Sequence, residues 1–411
     1  MAVRLRPPGP FLKVNRMMYF VQFYHRESLM WDRNKEVTVF KNGFSSIWNR
    51  LSNLQHGPII WVDMDSEESN YFRYPNGIAY VSVYYKSELF KVITWAKQRP
   101  DVEFHIGGPI VDTWPLSKEI ENSLPNLKSH HKALIEEVLF QQKIAPLSHW
   151  NLRLPDHIDA SDIAYGFSIS KKNGCWWRRC TFCKQKNVPK YLNYSEIPVI
   201  DYPGTKHIWI NTYCMRPRDI KNIYPNLPDR DDVRYATYLK LNHTSIDGLY
   251  DILPSMQCDP KNLAFNVGIE MPSARVLKIF DRGVSLPEYI NGINLLLDHK
   301  CKVHMNLIFR LGFLQKSDID DVKLFVDCIS HNDLSNLSAS IYRLHISPER
   351  PLWNYLIENG VFVIPTDNHV WDADMYIVKL NEQQMQLDEQ MLNIYNSIGM
   401  SSLSNYIPEG E

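Results

Sequence analysis

Along roughly the first third of the chain, short runs of β-branched and aromatic residues are separated by one stretch with helical periodicity. GPIIWVDMD (57–65), IAYVSVYY (78–85) and DVEFHIGGPIV (101–111) read as strands, and KSELFKVITWAKQRP (86–100) reads as a helix. A helix between two apolar strands, closed by Gly107-Gly108, is a β-α-β unit of a parallel sheet. Residues 1–150 are therefore expected to form a Rossmann-like or flavodoxin-like α/β domain.

From about residue 160 the rhythm changes but remains α/β. Six strands are predicted: DIAYGFSIS (162–170), HIWINTY (207–213), VRYATYLKL (233–241), LAFNVGIE (263–270), KVHMNLIFRL (302–311) and LSASIYRLHI (337–346). Helical patterns separate most of them, among them SARVLKIFDRG (273–283) and LPEYINGINLLLDHK (286–300). In the first, Val276, Leu277 and Phe280 form an apolar face, and Gly283 stands as the expected C-cap. Six strands in this order predict a partial (βα)6 TIM-like barrel over 160–350, whose chemistry gathers at the C-terminal strand ends. The remainder, 351–411, is expected to be a small C-terminal extension. Its amphipathic helix LNEQQMQLDEQMLNIYNSI would serve as a cap or an interface element.

Composition narrows the field of functions. The chain has 411 residues, too many for one ordinary core, with 45 basic against 46 acidic side chains. That balance gives no electrostatic footprint for nucleic acid, although a local basic patch stays open. Aromatic residues make up 12% and suit deep pockets with polar handles. No run has the length and apolarity of a transmembrane helix, and MAVRLRPPGPF has no apolar signal core. A cytoplasmic protein is expected, in which cysteines bind metal or lie buried rather than pair as disulfides.

Cys214, Cys258, Cys301 and Cys328 are scattered, but Cys175, Cys180 and Cys183 fall within NGCWWRRCTFCKQ, spaced C-x4-C-x2-C. A closed zinc site would want a fourth Cys or His; the next histidine, His207, lies 24 residues past Cys183, and no second CxxC exists. Three thiolates on one tight loop suit a [4Fe–4S] cluster with one iron left open. Zinc binding and a chance grouping are the competing readings.

GCWWRRCTFC resembles the cluster loop of the radical S-adenosylmethionine (SAM) enzymes, with one residue inserted between the first two cysteines and Phe182 in the aromatic place. The resemblance runs over about 160–355. FNVGIEMPSARVLKIFDRGVSLPEYINGINLLLDHKCKVHMNLIFRLG is similar to the branch that contains methylthiotransferases, coproporphyrinogen dehydrogenase and cobalamin-associated enzymes. In it, Met271 replaces the branch's Ser, and Arg282 the Lys before Gly283. LHISPERPLW resembles that branch's late Pro-Gly-Thr-Pro-Leu segment. The resemblance implies a cluster held by Cys175, Cys180 and Cys183, to which SAM binds through its amino and carboxylate groups. One electron from flavodoxin or ferredoxin then gives a 5′-deoxyadenosyl radical that abstracts hydrogen from a peptide or small-metabolite substrate.

The same resemblance implies SAM contacts from Phe182, Asn211, Glu270, Asn306 and Arg310. INTYCMRP lacks the family's Gly-Gly-Glu, so Asn211, Thr212 or backbone carbonyls would serve there, with Cys214 read as buried and inert. Asn306 and Arg310, evenly spaced on one strand, are expected to share a face, with Arg310 on the SAM carboxylate. Arg178 and Arg179 are either tuning charges or solvated ones. The N-terminal domain resembles the cobalamin-binding (B12-binding) domain that precedes many such barrels, but it lacks the Asp-x-His-x-x-Gly motif. Cobalamin and a methyl transfer are thus candidate additions, and His130-His131 is read as an exposed loop pair. The alternatives are a radical SAM tRNA-modifying enzyme, which wants a basic face, and a non-catalytic iron–sulfur or zinc protein. A simple electron carrier would want four cysteine ligands.

Overall fold

The computed structural model describes residues 17–24, 59–64, 66–83, 86–108, 111, 116–130, 164–168, 170–172, 175–183, 190–191, 207–211, 215–365 and 376–399. These fall into two compact units, those up to residue 130 in the first and those from 164 onward in the second.

In the first unit, strands β1 (Met17–Tyr24), β2 (Ile59–Asp63), β3 (Gly77–Ser82), β4 (Glu103–Gly107) and β5 (Leu127–Ser129) form a parallel sheet. Their order is β2-β1-β3-β4-β5, the flavodoxin-like arrangement. Helix α1 (Lys86–Gln98) connects β3 to β4, where the pattern places it, and the short α2 (Lys118–Ser123) precedes β5. One face of the sheet buries Val21, Phe23, Ala79, Val81, Phe104 and Ile106 in a core shared with Leu89, Val92, Trp95 and Ala96 of α1. Burying each large side chain of this kind contributes roughly 1.5–3 kcal/mol. The Trp95 indole N–H is satisfied by the Ser69 carbonyl at 2.9 Å.

Across the opposite face runs a row of rings. Phe20 stacks on Tyr80 (5.8 Å), Tyr80 meets His105 (4.9 Å), and His105 stacks on His130 (5.0 Å). His105 bridges Glu103 Oε1 and His130 Nε2, each at 2.8 Å. His130 is therefore half-buried and paired, not exposed as the dipeptide suggests; the His105 that holds it lies 25 residues earlier. His131 lies outside the described residues.

The second unit is built on β6 (Ala164–Ser168), β9 (His207–Asn211), β10 (Arg234–Leu239), β11 (Leu263–Glu270), β12 (Lys302–Phe309) and β13 (Leu337–Arg343). All six predicted strands form, and they pair in parallel in chain order as an open sheet. Helices α3 (Pro217–Ile223), α4 (His243–Ile252), α5 (Ala274–Ile279), α6 (Leu286–Asp298) and α7 (Lys316–Ile329) occupy the connections. This is the partial (βα)6 arrangement. A two-stranded ribbon, β7 (Ser170–Lys172) with β8 (Lys190–Tyr191), brackets the cysteine loop in sequence.

Alternation along the strands sorts the two faces. Val303, Met305 and Leu307 of β12 are buried in the apolar core with Phe265 and Val267 of β11, whereas His304 and Asn306 are half-buried. His304 is bracketed by Ser338 and Ser340 of β13, at 2.9 and 3.0 Å. Trp209 of β9 meets Tyr238 of β10 at 5.2 Å on the same polar side.

The C-terminal segment belongs to this unit. Helix α8 (Pro351–Glu358), a small antiparallel sheet of β14 (His345–Ile346), β15 (Val363–Pro365) and β16 (Tyr376–Val378), and helix α9 (Glu382–Asn396) complete it. The predicted amphipathic helix buries Leu387, Met391 and Tyr395, the last against Phe309 at 6.1 Å. Gln384 binds both the N–H and the carbonyl of Leu314.

Candidate active site

The cysteine loop is moored to the end of α5. A helix terminus leaves carbonyls without intrahelical partners, and the loop supplies donors for three in a row. Thr181 Oγ1 donates to the Ile279 carbonyl (3.0 Å), Thr181 N–H to Phe280 (3.0 Å) and the Trp177 indole N–H to Asp281 (2.7 Å). Arg179 Nε adds a 2.9 Å ion pair to the Asp281 carboxylate, and Phe182 packs on Phe280 at 4.8 Å. The Leu352 N–H, at the start of α8, closes onto the Thr181 carbonyl at 3.3 Å. Both arginines are exposed; Arg179 is paired with Asp281, and Arg178 has a left-handed conformation (φ 57°).

The turn after α5 differs from the expected glycine cap. The left-handed residue is Asp281 (φ 47°), and the Arg282 N–H returns to the Leu277 carbonyl at 3.1 Å. Gly283 also has positive φ (58°), and its need for glycine comes from packing. A Cβ there would lie 1.9 Å from Trp177 Cζ2, so the loop tryptophan occupies the space a side chain would fill. Sequence spacing alone cannot see that contact.

Arg282 is the residue the sequence reading passed over. Its buried guanidinium donates through Nη1 to Cys180 Sγ (3.4 Å), faces Glu270 Oε1 (3.5 Å), and donates through Nη2 to the Gly268 carbonyl and to Tyr289 Oη (3.4 Å). Tyr289 Oη in turn donates to the same carbonyl at 2.8 Å. Burial opposes the charge on Arg282, yet Tyr289, Glu270 and Cys180 hold it protonated well above its ordinary range. Burial pushes the Glu270 carboxyl up, and Arg282 pulls it partly back. The available signal was its place immediately before Gly283, at the end of the Gly-x-Glu segment's helix.

The strand end is shaped for this group. β11 has a register shift against β12 between Gly268 and Glu270, and Glu270 is left-handed (φ 64°). A Cβ at Gly268 would meet Glu270 Oε1 at 2.7 Å and Arg282 Nη2 at 3.0 Å, so glycine makes room for the pair. Asn306 is the register partner of Gly268. A second cation, Lys240, follows β10 and is only 3% exposed; its Nζ lies 3.1 Å from the centroid of Trp177 and 5.3 Å from that of Trp176.

The structure thus gathers Cys180, Phe182 and Glu270 around Arg282, with Asn306 across from Gly268 on β12 and with Cys175 and Cys183 half-buried on the same loop. The shared-face expectation is corrected at Arg310, which lies one residue past the end of β12. It follows β12 in a left-handed conformation (φ 58°), which breaks the strand alternation, and its N–H donates to Asp388 Oδ2 of α9 at 3.1 Å. Asn211 closes β9 at the C-terminal end, with its side chain outside the described set; Thr212 and Cys214 also lie outside the described residues.

Among the described residues, no group of three or more His, Cys, Asp or Glu is set to hold a metal ion. Ligands of one ion converge on a point, whereas those of an iron–sulfur cube grip separate corners and need not. The described surroundings fit such an anionic group. Cys180 accepts from a guanidinium, and Arg282 Nε and Trp176 Nε1 are buried without a protein partner.

No protein-family model and no curated protein sequence matches the chain. Among solved structures, it is similar to a cobalamin-dependent SAM radical enzyme, OxsB, with aqua-cobalamin and SAM bound, at 13% identity and TM-score 0.56. That likeness covers 93% of this chain and 66% of OxsB, so the chain spans about two thirds of that enzyme's length. The radical SAM methyltransferase TsrM from Kitasatospora setae, with cobalamin and a [4Fe–4S] cluster bound, matches at 13% identity and TM-score 0.55, covering 92% of this chain and 91% of that one. At this identity the likeness is one of fold: an α/β unit of flavodoxin strand order followed by a partial (βα)6 barrel.

Proposed function

We propose that this chain is a radical SAM enzyme whose loop holds a [4Fe–4S] cluster through Cys175, Cys180 and Cys183. The observation that carries the reading is a guanidinium at the C-terminal end of β11 that donates to Cys180 Sγ and faces the Glu270 carboxylate. When bound, the cluster supplies a one-electron reductant and an iron open to SAM, whose reductive cleavage yields a 5′-deoxyadenosyl radical.

The chain's own residues would perform the remaining tasks. Arg282 donates to Cys180 Sγ and ties the loop to the turn after α5. Glu270, held beside it, is suited to the ammonium of an amino-acid moiety, which would keep this raised carboxyl ionised. Phe182, Trp176 and Trp177 exclude water from the loop. Asn211, Asn306 and Arg310 are proposed as further SAM contacts, with a peptide or small metabolite as substrate and a flavodoxin or ferredoxin as electron donor. After anaerobic reconstitution, dithionite and SAM should release 5′-deoxyadenosine, and Cys180→Ala should abolish it. A wild-type protein that carries the cluster spectrum yet forms none would contradict the assignment.

A second reading adds a corrinoid to the first unit, with methyl transfer as the outcome. Its support is the strand order β2-β1-β3-β4-β5, which opens a crevice at the carboxyl ends of β1 and β3, together with the cobalamin named for OxsB and TsrM. Hydroxocobalamin retained through gel filtration, seen by its visible absorbance, is the expected result; its complete loss argues for a unit that binds none.

A further inference from the structure

Two buried cations face the cysteine loop from separate strand ends. Arg282, past β11 and α5, donates directly to Cys180 Sγ at 3.4 Å. Lys240, past β10, lies on the rings of Trp177 and Trp176, the two residues that follow Cys175. The same Trp177 is anchored by its indole N–H to Asp281 and fills the space above Gly283. The loop segment between Cys175 and Cys180 is therefore fastened by one cation on its aromatic face and another on its sulfur.

Buried fixed charge of this kind is costly unless an anion answers it. Glu270 answers part of the Arg282 charge, but its own carboxyl is pushed toward neutrality by burial. A cluster carried on three thiolates would add negative charge beside both cations. When an electron from the donor enters that cluster its charge falls by one, and cations beside the sulfurs favour the reduced state.

Resting on the cluster reading above, we propose that Lys240 and Arg282 are positioning residues that raise the reduction potential of the loop-bound cluster, Arg282 through Cys180 Sγ and Lys240 through the Trp176–Trp177 face. The test is an EPR-monitored redox titration of the reconstituted full chain and its variants. Lys240→Met and Arg282→Met should each lower the midpoint by at least the equivalent of a tenfold change in the one-electron equilibrium, about 59 mV. Lys240→Arg, which keeps the charge on the ring, should stay near wild type. Fully loaded Met variants titrating with the wild-type midpoint would overturn the inference. Should Arg282→Met fail to retain iron, Lys240→Met and Arg282→Lys decide it, the second keeping charge but losing the fork and so shifting less. A wild-type chain that takes up no iron and sulfide defeats the cluster reading itself, before any titration.

Discussion

The two parallel sheets solve opposite problems. In the first, Val21, Val81 and Phe104 pack against α1, and the other side carries a row of rings that is buried at Phe20 and Tyr80 and half-buried at His105. In sheets of this order ligands bind at the carboxyl edge, where the order reverses between β1 and β3. The second sheet keeps chain order and buries one face, leaving Trp209, Tyr238, His304 and Asn306 on a polar side. The first sheet stacks rings across its second face, and the half-open second sheet carries the proposed cluster site. The contrast is visible in sequence as continuous apolar runs against strict alternation such as KVHMNLIF.

Substitutions should split along that line. Phe20→Asn, at a fully buried position, should destabilise the first unit by about 3–5 kcal/mol, from the lost ring and an unsatisfied amide. Hydrogen exchange should localise the loss to β1, β3 and β4; equal loss in the second unit would blur the distinction. Gly283→Ala forces a Cβ into Trp177 at a left-handed position, costing about 2–4 kcal/mol with a tryptophan emission change. Unchanged stability and emission would mean that Trp177 does not sit there.

Asp388 gives a pH test within the second unit. Burial pushes its carboxyl up to about 7, with the Arg310 N–H and charge opposing, and Oδ1 has no protein partner. The folded state therefore binds this proton more tightly than the unfolded one. The contribution is fully present below about pH 4, the ordinary carboxylate range, and is lost as pH rises through 7. Asp388→Asn should be more stable than wild type at pH 8 by about 1–3 kcal/mol, with the gap closing toward pH 4. Parallel stability curves across that window would exclude the effect. The smallest change is expected for Asn306→Ala, on the half-open face: below about 1 kcal/mol in denaturant melts. A loss comparable to Phe20→Asn would erase the contrast between the sheets.

Strand alternation and helix periodicity made the fold legible, including all six barrel strands and α9. The cysteine spacing likewise singled out the loop. What escaped were contacts across long sequence gaps. Arg282 on Cys180 spans 102 residues, and Trp177 over Gly283 is closed by a tertiary contact, not a helix rule. The parity argument failed at Arg310 because it assumed extended backbone one residue beyond the last strand position, where φ is 58°. His130 was misplaced for a similar reason, since its partner His105 lies on the neighbouring strand.

The most direct measurement is EPR of the reconstituted, dithionite-reduced chain with and without SAM. The account predicts a [4Fe–4S] signal whose g-values move on adding SAM and which is lost when Cys175, Cys180 and Cys183 are all replaced by alanine. A signal indifferent to SAM, or one that survives the triple replacement, would contradict it.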